Sequence, residues 1–390
     1  MEFALFLWHA AQVLVGYNLI LPVILVLSYS LYKRESQKRA RPDYADYAIV
    51  VTAYRYTDSL PSVVASLLKL HYSNYHIYIV ADNCADDNLS FHDERVSVLQ
   101  PDTVLASNTR SHFYAIERFR RDHDRIAIID SDNLVDPEFL NELNVYFDRG
   151  FRAVQGLRQP LNLDTTLACL DAARDIYYHF YDGKVLFGLG SSATLSGSGM
   201  AFAVPLYREC LEKLNIDGAG FDKVLQAQIV MRDHRIAFAE KAVVLDAKTS
   251  KADELVNQRS RWIGTWFTYC GYSVRLLASG LKSLSINKIL FGLILLRPPL
   301  FIFLLLSTIF WIINFFSNPT GEWAWAIGMA LFIAGFGIAL VSSRTDRRIY
   351  KAFIHIPKFM FLQVLALTKF LGRSEGSVST KHSFTIKNEK

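Results

Sequence analysis

The chain has 390 residues, of which 51% are hydrophobic and 20% are charged, and its formal net charge is +5. This content of apolar and aromatic residues excludes a mainly disordered chain, and a mean hydropathy of +0.17 is high for a water-soluble protein. The cysteines are widely spaced and form no Cys-x-x-Cys pair, which argues against a disulfide framework or a zinc knuckle and favours a reducing compartment. They are Cys84, Cys169, Cys210 and Cys270.

The apolar residues are concentrated in three segments without Lys, Arg, Asp or Glu. These segments are residues 3–32, 298–316 and 323–343. Each approaches or exceeds the roughly 20 apolar residues that a membrane-spanning helix needs. The first segment lacks a basic start and a small-residue cleavage site, which indicates a retained anchor rather than a signal peptide.

Basic residues at the ends of these segments predict their orientation. The loop 317–322 carries no Lys or Arg. The basic residues that follow the first and the last segment are Lys33, Arg34, Lys38, Arg39, Arg41, Arg344, Arg347, Arg348 and Lys351. By the positive-inside rule, the N-terminus lies outside and residues 33–297 are cytoplasmic. The net positive charge therefore indicates a membrane protein rather than a nucleic-acid partner.

Two further apolar segments are shorter or interrupted by polar residues. Residues 286–296 end at an Arg-Pro-Pro sequence, and residues 354–371 carry two lysines, a glutamine and a proline. Both are predicted to be amphipathic helices on the cytoplasmic membrane face. A fourth span at 353–371 is the alternative for the second segment.

Residues 44–250 alternate short apolar segments with amphipathic ones. Strands are predicted at 47–52, 76–81, 125–129 and 151–155, and helices at 59–70 and 137–147. This alternation is typical of an α/β domain with a mostly parallel sheet, whose ligands bind beyond the carboxyl ends of the strands.

Polar residues follow three of the predicted strands. The first strand ends in Thr52-Ala53-Tyr54, the second in Asp82, and the third in Asp130-Ser131-Asp132. Two carboxylates one residue apart suit Mg²⁺ or Mn²⁺, which share such oxygens with substrate phosphates. A capped turn is the simpler explanation of a lone Asp-x-Asp, but three polar strand ends at one crevice favour the metal site.

Three other local features lie in the same part of the chain. Residues 196–200 (SGSGM) form a small-residue turn before an apolar strand, which is either a tight turn or a place where backbone approaches a ligand. Asp222 opens a helix after a glycine-rich loop, where an N-terminal carboxylate is the simplest explanation. Residues 258–262 (QRSRW) begin an aromatic stretch that also fits an amphipathic helix at a membrane interface.

Together these segments resemble the membrane-integrated branch of the family 2 inverting glycosyltransferases, which includes cellulose, chitin and hyaluronan synthases and ceramide glucosyltransferase. The resemblance extends from about Tyr47 to Trp266. The carrying segments are TAYRYTDSL (52–60), IVADNCADD (79–87), IIDSDN (128–133), SGSGMAF (196–202), GFDKVLQAQI (220–229) and QRSRW (258–262). The resemblance implies an α/β fold of the GT-A, Rossmann-like type and a nucleotide-sugar donor, usually UDP-linked.

The resemblance also implies roles for individual residues. Asp222 matches the general base. The nucleotide-sugar contacts are Thr52, Tyr54, Asp82, Arg110, Asp130, Asp132, Gln258 and Arg261, with Mg²⁺ or Mn²⁺ on Asp132 and Asp130. The acceptor-binding residues are Gly197, Ser198, Gly199 and Trp262.

The sequence departs from the family pattern in four places. Tyr56 stands where relatives carry an acidic residue, Ala81 replaces the first of two successive acids, and Phe221 precedes Asp222 where a glutamate is common. The lysine often found before the Asp-x-Asp strand is absent, and Arg110 is its expected substitute.

The expected organisation has five parts. Residues 1–33 form a transmembrane anchor, 44–270 the cytoplasmic catalytic domain, 271–297 interfacial helices, 298–343 two transmembrane helices, and 344–390 an interfacial helix and a cytoplasmic tail.

The leading hypothesis is a polysaccharide synthase of the plasma (inner) membrane that extends a β-linked exopolysaccharide. The alternative is transfer of one sugar to a membrane lipid such as a ceramide or a polyprenyl phosphate. A non-catalytic transporter or scaffold is less consistent, because the spans carry no buried charge of the kind transport sites use. The expected partners are the donor, a glycan or lipid acceptor, the bilayer, and a second copy or an export or regulatory subunit, but no nucleic acid.

Overall fold

A computed structural model describes residues 2–32, 44–85, 89–216 and 219–371 of the chain. The basic residues predicted after the first span and the tail from residue 372 lie outside the described residues. So do Asp86 and Asp87 of the segment 79–87.

Eight strands of the described residues form one mixed sheet in the order β3-β2-β1-β4-β7-β6-β8-β5. All strands run in one direction except β5 and β7, which are antiparallel to their neighbours. The strands are β1 (Tyr47–Tyr54), β2 (Tyr75–Asp82), β3 (Val96–Leu99), β4 (Arg125–Asp130), β5 (Asn133–Val135), β6 (Ala153–Pro160), β7 (Met200–Ala203) and β8 (Ile236–Asp246).

The sheet is buried on both faces, and its central strands β1, β2 and β4 are mostly apolar and buried at nearly every position. In β1, Ala48 and Val50 pack into one hydrophobic cluster, whereas Ile49 and Val51 pack into another on the opposite face. Such continuous apolar runs are typical of parallel strands covered by helices on both sides.

Helices of the α/β region lie on both faces of the sheet. Helices α2 and α4 contribute to the cluster around Ile49, and α3, α7 and α8 to the cluster around Ala48. Their bounds are α2 (Leu60–Leu67), α3 (Asn108–Ile116), α4 (Phe139–Phe147), α5 (Thr166–Tyr178), α6 (Leu186–Gly188), α7 (Val204–Leu211) and α8 (Phe221–Met231), with a π-helical segment at His179–Val185 between α5 and α6.

The remaining helices are the apolar α1 and a helical series after β8. They are α1 (Glu2–Leu31), α9 (Ala252–Tyr269), α10 (Gly271–Ser283), α11 (Ile286–Leu296), α12 (Leu300–Ser317), α13 (Pro319–Ser342), α14 (Arg347–Ala352) and α15 (Ile356–Leu371). Four segments of the described residues are long and apolar enough to cross a membrane, namely Glu2–Leu31, Leu300–Ser317, Thr320–Ser342 and Arg347–Leu371. The first three coincide with the predicted spans. The fourth is the segment for which both a span and an interfacial helix were predicted, and a 3₁₀ turn at Phe353–His355 divides it.

Polar contacts join the long apolar helices α1, α12 and α13. The side-chain oxygen of Gln12 in α1 accepts hydrogen bonds from Asn314 Nδ2 (2.8 Å) and from Trp325 Nε1 (2.9 Å). Interhelical bonds of this kind hold helices together where apolar surroundings offer no competing water.

The apolar helices also pack directly on the α/β region. Tyr181 of the π-helical segment donates its hydroxyl to the carbonyl of Gly335 in α13 (2.8 Å). Arg297, which precedes α12, forms a buried ion pair with Asp182. Val15, Leu19 and Leu25 of α1 belong to the same hydrophobic cluster as the sheet.

Candidate functional site

The register of the sheet brings the predicted polar strand ends together. Tyr54 of β1 lies beside Asp82 of β2, and Thr52 of β1 lies beside Asp130 of β4. These three strands are neighbours, and their carboxyl ends open on one edge of the sheet. The predicted convergence of three polar strand ends is therefore present in the fold.

The Asp-x-Asp motif comprises the last residue of β4, Asp130, and the connection to β5, which contains Asp132. The backbone N–H of Asp130 donates to Ser198 Oγ (3.0 Å), and the Asp132 carboxylate accepts from Asn133 Nδ2 (3.0 Å). Both aspartates are half-buried. No group of three His, Cys, Asp or Glu side chains that could hold a metal occurs within the described ranges. An ion on these two carboxylates would take its other oxygen ligands from water or a substrate, as Mg²⁺ commonly does.

The glycine-rich turn before β7 is fixed beside this motif. Gly197 and Gly199 have φ angles of +89° and +66°, which side chains with a Cβ rarely adopt. The N–H of Gly199 donates to the carbonyl of Ile128 (2.9 Å), and the buried Gln155 amide donates to the Ser198 carbonyl (3.1 Å). The turn is therefore held against the strand that carries Asp130.

Asp82 is almost completely buried, with 2% of its surface exposed. Its carboxylate oxygens accept backbone N–H bonds from Leu105 (2.9 Å) and Ala106 (2.7 Å). Arg110, an exposed residue of α3, donates to the carbonyl of the same Leu105 (2.7 Å). Asp82 and Arg110 therefore both bind the loop that contains Leu105 and Ala106, and the buried Asp82 carboxylate fixes the conformation of this loop.

Asp222 lies in the first turn of α8, as the sequence predicts. Its Oδ2 is 3.2 Å from Lys223 Nζ, and its side chain is 16% exposed. One turn further, the buried Gln226 accepts a hydrogen bond from the N–H of Leu195 (2.9 Å), directly before the glycine-rich turn. Gly220, with φ +100°, allows the start of α8 to approach Tyr269 of α9. The helix that carries Asp222 is therefore attached both to the turn and to α9.

Residues 258–262 lie inside α9, and their side chains differ in burial. Gln258 and Arg259 are buried, whereas Arg261 and Trp262 are half-buried. Two guanidinium groups lie over the Trp262 ring, those of Arg259 at 4.2 Å and Arg174 at 4.4 Å from the ring centroid. The indole predicted to contact the acceptor is thus already in contact with two cations.

A buried ionic network, which the sequence did not predict, adjoins these motifs. Asp246 at the end of β8 binds Arg158 (2.7 Å) and Lys248 (2.6 Å), and it accepts a bond from Asn133 (3.2 Å). Lys248 also binds Asp175 of α5. The network therefore begins at Asn133, the residue that donates hydrogen bonds to both Asp132 and Asp246.

The network continues along α5 to α9. Arg174 binds Asp175 and lies 3.3 Å from Asp171, and Asp171 also binds Arg259. The described groups form an unbroken chain of polar contacts from the Asp-x-Asp motif to Trp262.

Burial and neighbouring charges change the pKa values of this network. Burial alone would raise the pKa of Asp246, but Arg158 and Lys248 hold it well below its usual range. Burial and the neighbouring Arg174 lower the pKa of Arg259 to about 10. Both groups are therefore charged at neutral pH.

One signal for this network is visible in the sequence. Asp171, Arg174 and Asp175 are spaced so that they share one face of a helix. Their partners lie far away along the chain, at residues 248 and 259, so that helical spacing alone does not identify them.

The family described as glycosyltransferase like family 2 matches residues 42–265, which is more than half of the chain. No curated protein sequence matches the chain. The match covers the sheet and extends into α9.

Two solved structures are similar to the chain at low identity. A mannosyltransferase from Pyrobaculum calidifontis, in complex with GDP-Man and Mn²⁺, is 14% identical, with a TM-score of 0.55 over 94% of this chain and 98% of that chain. Residues 1–349 of TarS from S. aureus, in complex with UDP-GlcNAc, are 13% identical, with a TM-score of 0.45 over 84% of this chain and 92% of that chain. The family match and the first structure confirm the predicted α/β fold of the GT-A type.

Proposed function

The chain belongs to the glycosyltransferase like family 2, and we propose that it is a membrane-bound inverting hexosyltransferase that extends a β-linked exopolysaccharide from a UDP-sugar. The observation that carries this proposal is the placement of Asp130 beside Thr52 and Ser198, with the Asp222 helix attached to the same glycine-rich turn. In this proposal the catalytic domain comprises residues 44–270, and residues 1–33 and 298–343 anchor it.

The donor lies across the carboxyl ends of β1, β2 and β4. Thr52 and Tyr54 face the nucleoside, and Asp82 shapes the adjoining loop, to which Arg110 also binds. Asp130 and Asp132 face the diphosphate, and Gln258 and Arg261 approach it from α9. Ligands of open α/β sheets bind at this edge.

Mn²⁺ or Mg²⁺ fits the two carboxylates of Asp130 and Asp132, because hard cations prefer such oxygens and share them with phosphates. The mannosyltransferase from Pyrobaculum calidifontis holds Mn²⁺. When bound, the cation neutralises charge that grows on the departing diphosphate. Arg261 contributes a second positive charge at that position.

Asp222 is the general base. A sugar hydroxyl is a weak nucleophile, so its proton must leave as it attacks the anomeric carbon. Asp222 takes this proton, and its Oδ2 lies 3.2 Å from Lys223 Nζ. Attack opposite the departing diphosphate inverts the anomeric centre and converts an α-linked donor into a β-linked product.

The acceptor enters along the glycine-rich turn of Gly197, Ser198 and Gly199 and meets Trp262. We propose that the N-terminus lies outside the plasma (inner) membrane and that the catalytic domain is cytoplasmic, where nucleotide sugars are found. The apolar helices α1, α12 and α13 hold the domain at the bilayer.

Transfer of one sugar to a lipid is the second candidate function, and the apolar end of α9 favours it. Phe267 stacks on Phe370 of α15, with ring centroids 5.5 Å apart, and 48% of its surface remains exposed. Phe267 follows Trp262 on α9 by just over one helical turn. The apolar surface that it forms is therefore close enough to receive the hydrocarbon part of a lipid acceptor bound at Trp262.

A donor screen with product sizing tests both candidates. The full chain in nanodiscs is incubated with Mn²⁺ and labelled UDP-glucose, UDP-GlcNAc, UDP-galactose, UDP-glucuronate or GDP-mannose. A polymer that a specific β-glycosidase degrades supports the synthase, whereas a lipid-extractable monoglycoside supports the second candidate. Turnover of no donor, or equal turnover by the Asp222→Asn variant, contradicts the proposed function.

A further inference from the structure

Asp171 is the point at which the buried ionic network meets the QRSRW segment. Its side chain is 3% exposed, and it binds Arg259 while lying 3.3 Å from Arg174. One carboxylate oxygen, Oδ1, makes both contacts. Asp171 therefore holds two guanidinium groups of like charge close together inside the protein.

Both of those guanidinium groups lie over the Trp262 ring. Cation–π contacts fix the position of a ring relative to the cation, most strongly for tryptophan. The orientation of the indole thus depends on where Asp171 places the two arginines.

Arg259 and Arg174 form few other hydrogen bonds or ion pairs. In the described part of the chain, Arg259 Nε and Nη1 and Arg174 Nε are buried without a hydrogen-bond partner. Asp175 also holds Arg174, but Asp171 is the carboxylate that binds Arg259. Without its charge, two buried cations would repel each other beneath the indole, and such an arrangement is strongly unfavourable.

We propose that Asp171 is a positioning residue for the acceptor end of the site, acting through Arg259 and Arg174 on Trp262. This inference rests on the proposed function. Asp171 lies on α5, and both of its arginine partners converge on Trp262, so we expect it to affect acceptor binding more than donor binding.

The first test needs no activity. The other tryptophans are replaced by phenylalanine, so that Trp262 is the only tryptophan and its emission is excited selectively; they are Trp8, Trp266, Trp311, Trp323 and Trp325. In this background, Asp171→Asn is expected to increase acrylamide quenching of Trp262 at least twofold. Glu212→Gln, which breaks the exposed Arg208–Glu212 pair of α7, is the matched control and leaves quenching unchanged. Unchanged quenching in Asp171→Asn overturns the inference.

The second test separates acceptor from donor binding in the full chain with its native tryptophans. Octyl β-glucoside, which carries a β-linked sugar on an alkyl chain, is the acceptor probe, and UDP with Mn²⁺ is the donor probe. Asp171→Asn is expected to raise the KM for octyl β-glucoside about tenfold, and to leave the Kd of UDP and the rate of donor hydrolysis by water within twofold of the unsubstituted protein. Parallel losses of UDP binding, hydrolysis and transfer indicate a merely structural role and overturn the inference.

A double variant keeps the test decisive if Asp171→Asn folds poorly. Asp171→Asn with Arg259→Gln removes the carboxylate and one of the two cations together, so it avoids the uncompensated charge. It is expected to fold and to retain the high KM for octyl β-glucoside, whereas a normal KM in the double variant contradicts the inference. If the unsubstituted protein turns over no nucleotide sugar, the proposed function fails, and quenching alone decides whether Asp171 positions Trp262.

Discussion

The backbone N–H of Asp130 donates a 3.0 Å hydrogen bond to the hydroxyl of Ser198, a residue with no exposed surface. This bond joins the first aspartate of the Asp-x-Asp motif to the glycine-rich turn. The candidate donor and acceptor surfaces are therefore joined by a buried hydroxyl group, beside the backbone bond from Gly199 to Ile128.

Replacement of Ser198 by alanine is expected to weaken this junction. The Asp130 N–H would lose its partner in a buried position, which costs about 1–3 kcal/mol. The thermal midpoint and the affinity for UDP with Mn²⁺ should both fall. Ser196→Ala, at a half-buried serine of the same turn, is the control, and an equal loss in both variants contradicts the specific role of Ser198.

Replacement of Asp222 by asparagine is expected to lower kcat by about 10²–10⁴-fold, the usual contribution of a general base. The Kd of UDP with Mn²⁺ should be unchanged, because the proposed base acts on the acceptor. Glu212→Gln provides a control, since it breaks only the exposed Arg208–Glu212 pair of α7. Calorimetry and initial rates separate the two effects.

Replacement of Asp132 by alanine is expected to abolish the part of UDP binding that depends on Mn²⁺. Its carboxylate is one of two hard oxygen donors of the motif, so its loss leaves the cation with few protein ligands. Excess EDTA should reduce UDP binding by the unsubstituted protein to the level of the variant. Mn²⁺-dependent binding of UDP that persists in Asp132→Ala would refute the metal assignment.

Stability is expected to fall between pH 7 and pH 5, partly because of His112. Burial lowers the pKa of His112 to about 3, whereas the unfolded chain titrates near 6.5. Below pH 6.5 the unfolded chain therefore binds a proton that the folded chain does not bind, and stability decreases. At pH 5 this difference amounts to about 2 kcal/mol.

His112→Gln is the variant that isolates this effect. It removes the titrating ring, which lies 2.6 Å from the Tyr207 hydroxyl. The fall in thermal midpoint between pH 7 and pH 5 should be smaller in the variant, whatever its stability at pH 7. Identical pH profiles would show that other groups cause the decrease.

The sequence predicts the parts of the fold that local patterns determine. Apolar runs ending in Asp82 and Asp130 mark the strands, and uncharged segments mark α1, α12 and α13. The short strands β3 and β5 carry too few residues for a periodic pattern. The eleven-residue β8 contains the charged pair Glu240-Lys241, which interrupts its apolar run, and it is not among the predicted strands.

The candidate site is predictable only where a residue follows a recognisable pattern. Asp222 and the residues of the Asp-x-Asp motif are of this kind, and their roles stay predictions. The contact of Arg259 with Asp171 joins residues 88 positions apart. Such pairing depends on how α5 and α9 pack, which neither helix encodes alone.

The shared core of the sheet and the apolar helices has a practical consequence. Phe303 and Phe332 of the apolar helices belong to the same cluster as Tyr177, Val50 and Ile128. A protein cut to residues 44–270 would expose the face that α1, α12 and α13 now cover, and would have to cover it with detergent or with another copy. The chain is therefore not expected to tolerate division at residue 270, and we do not expect proteolysis there to release an active soluble fragment.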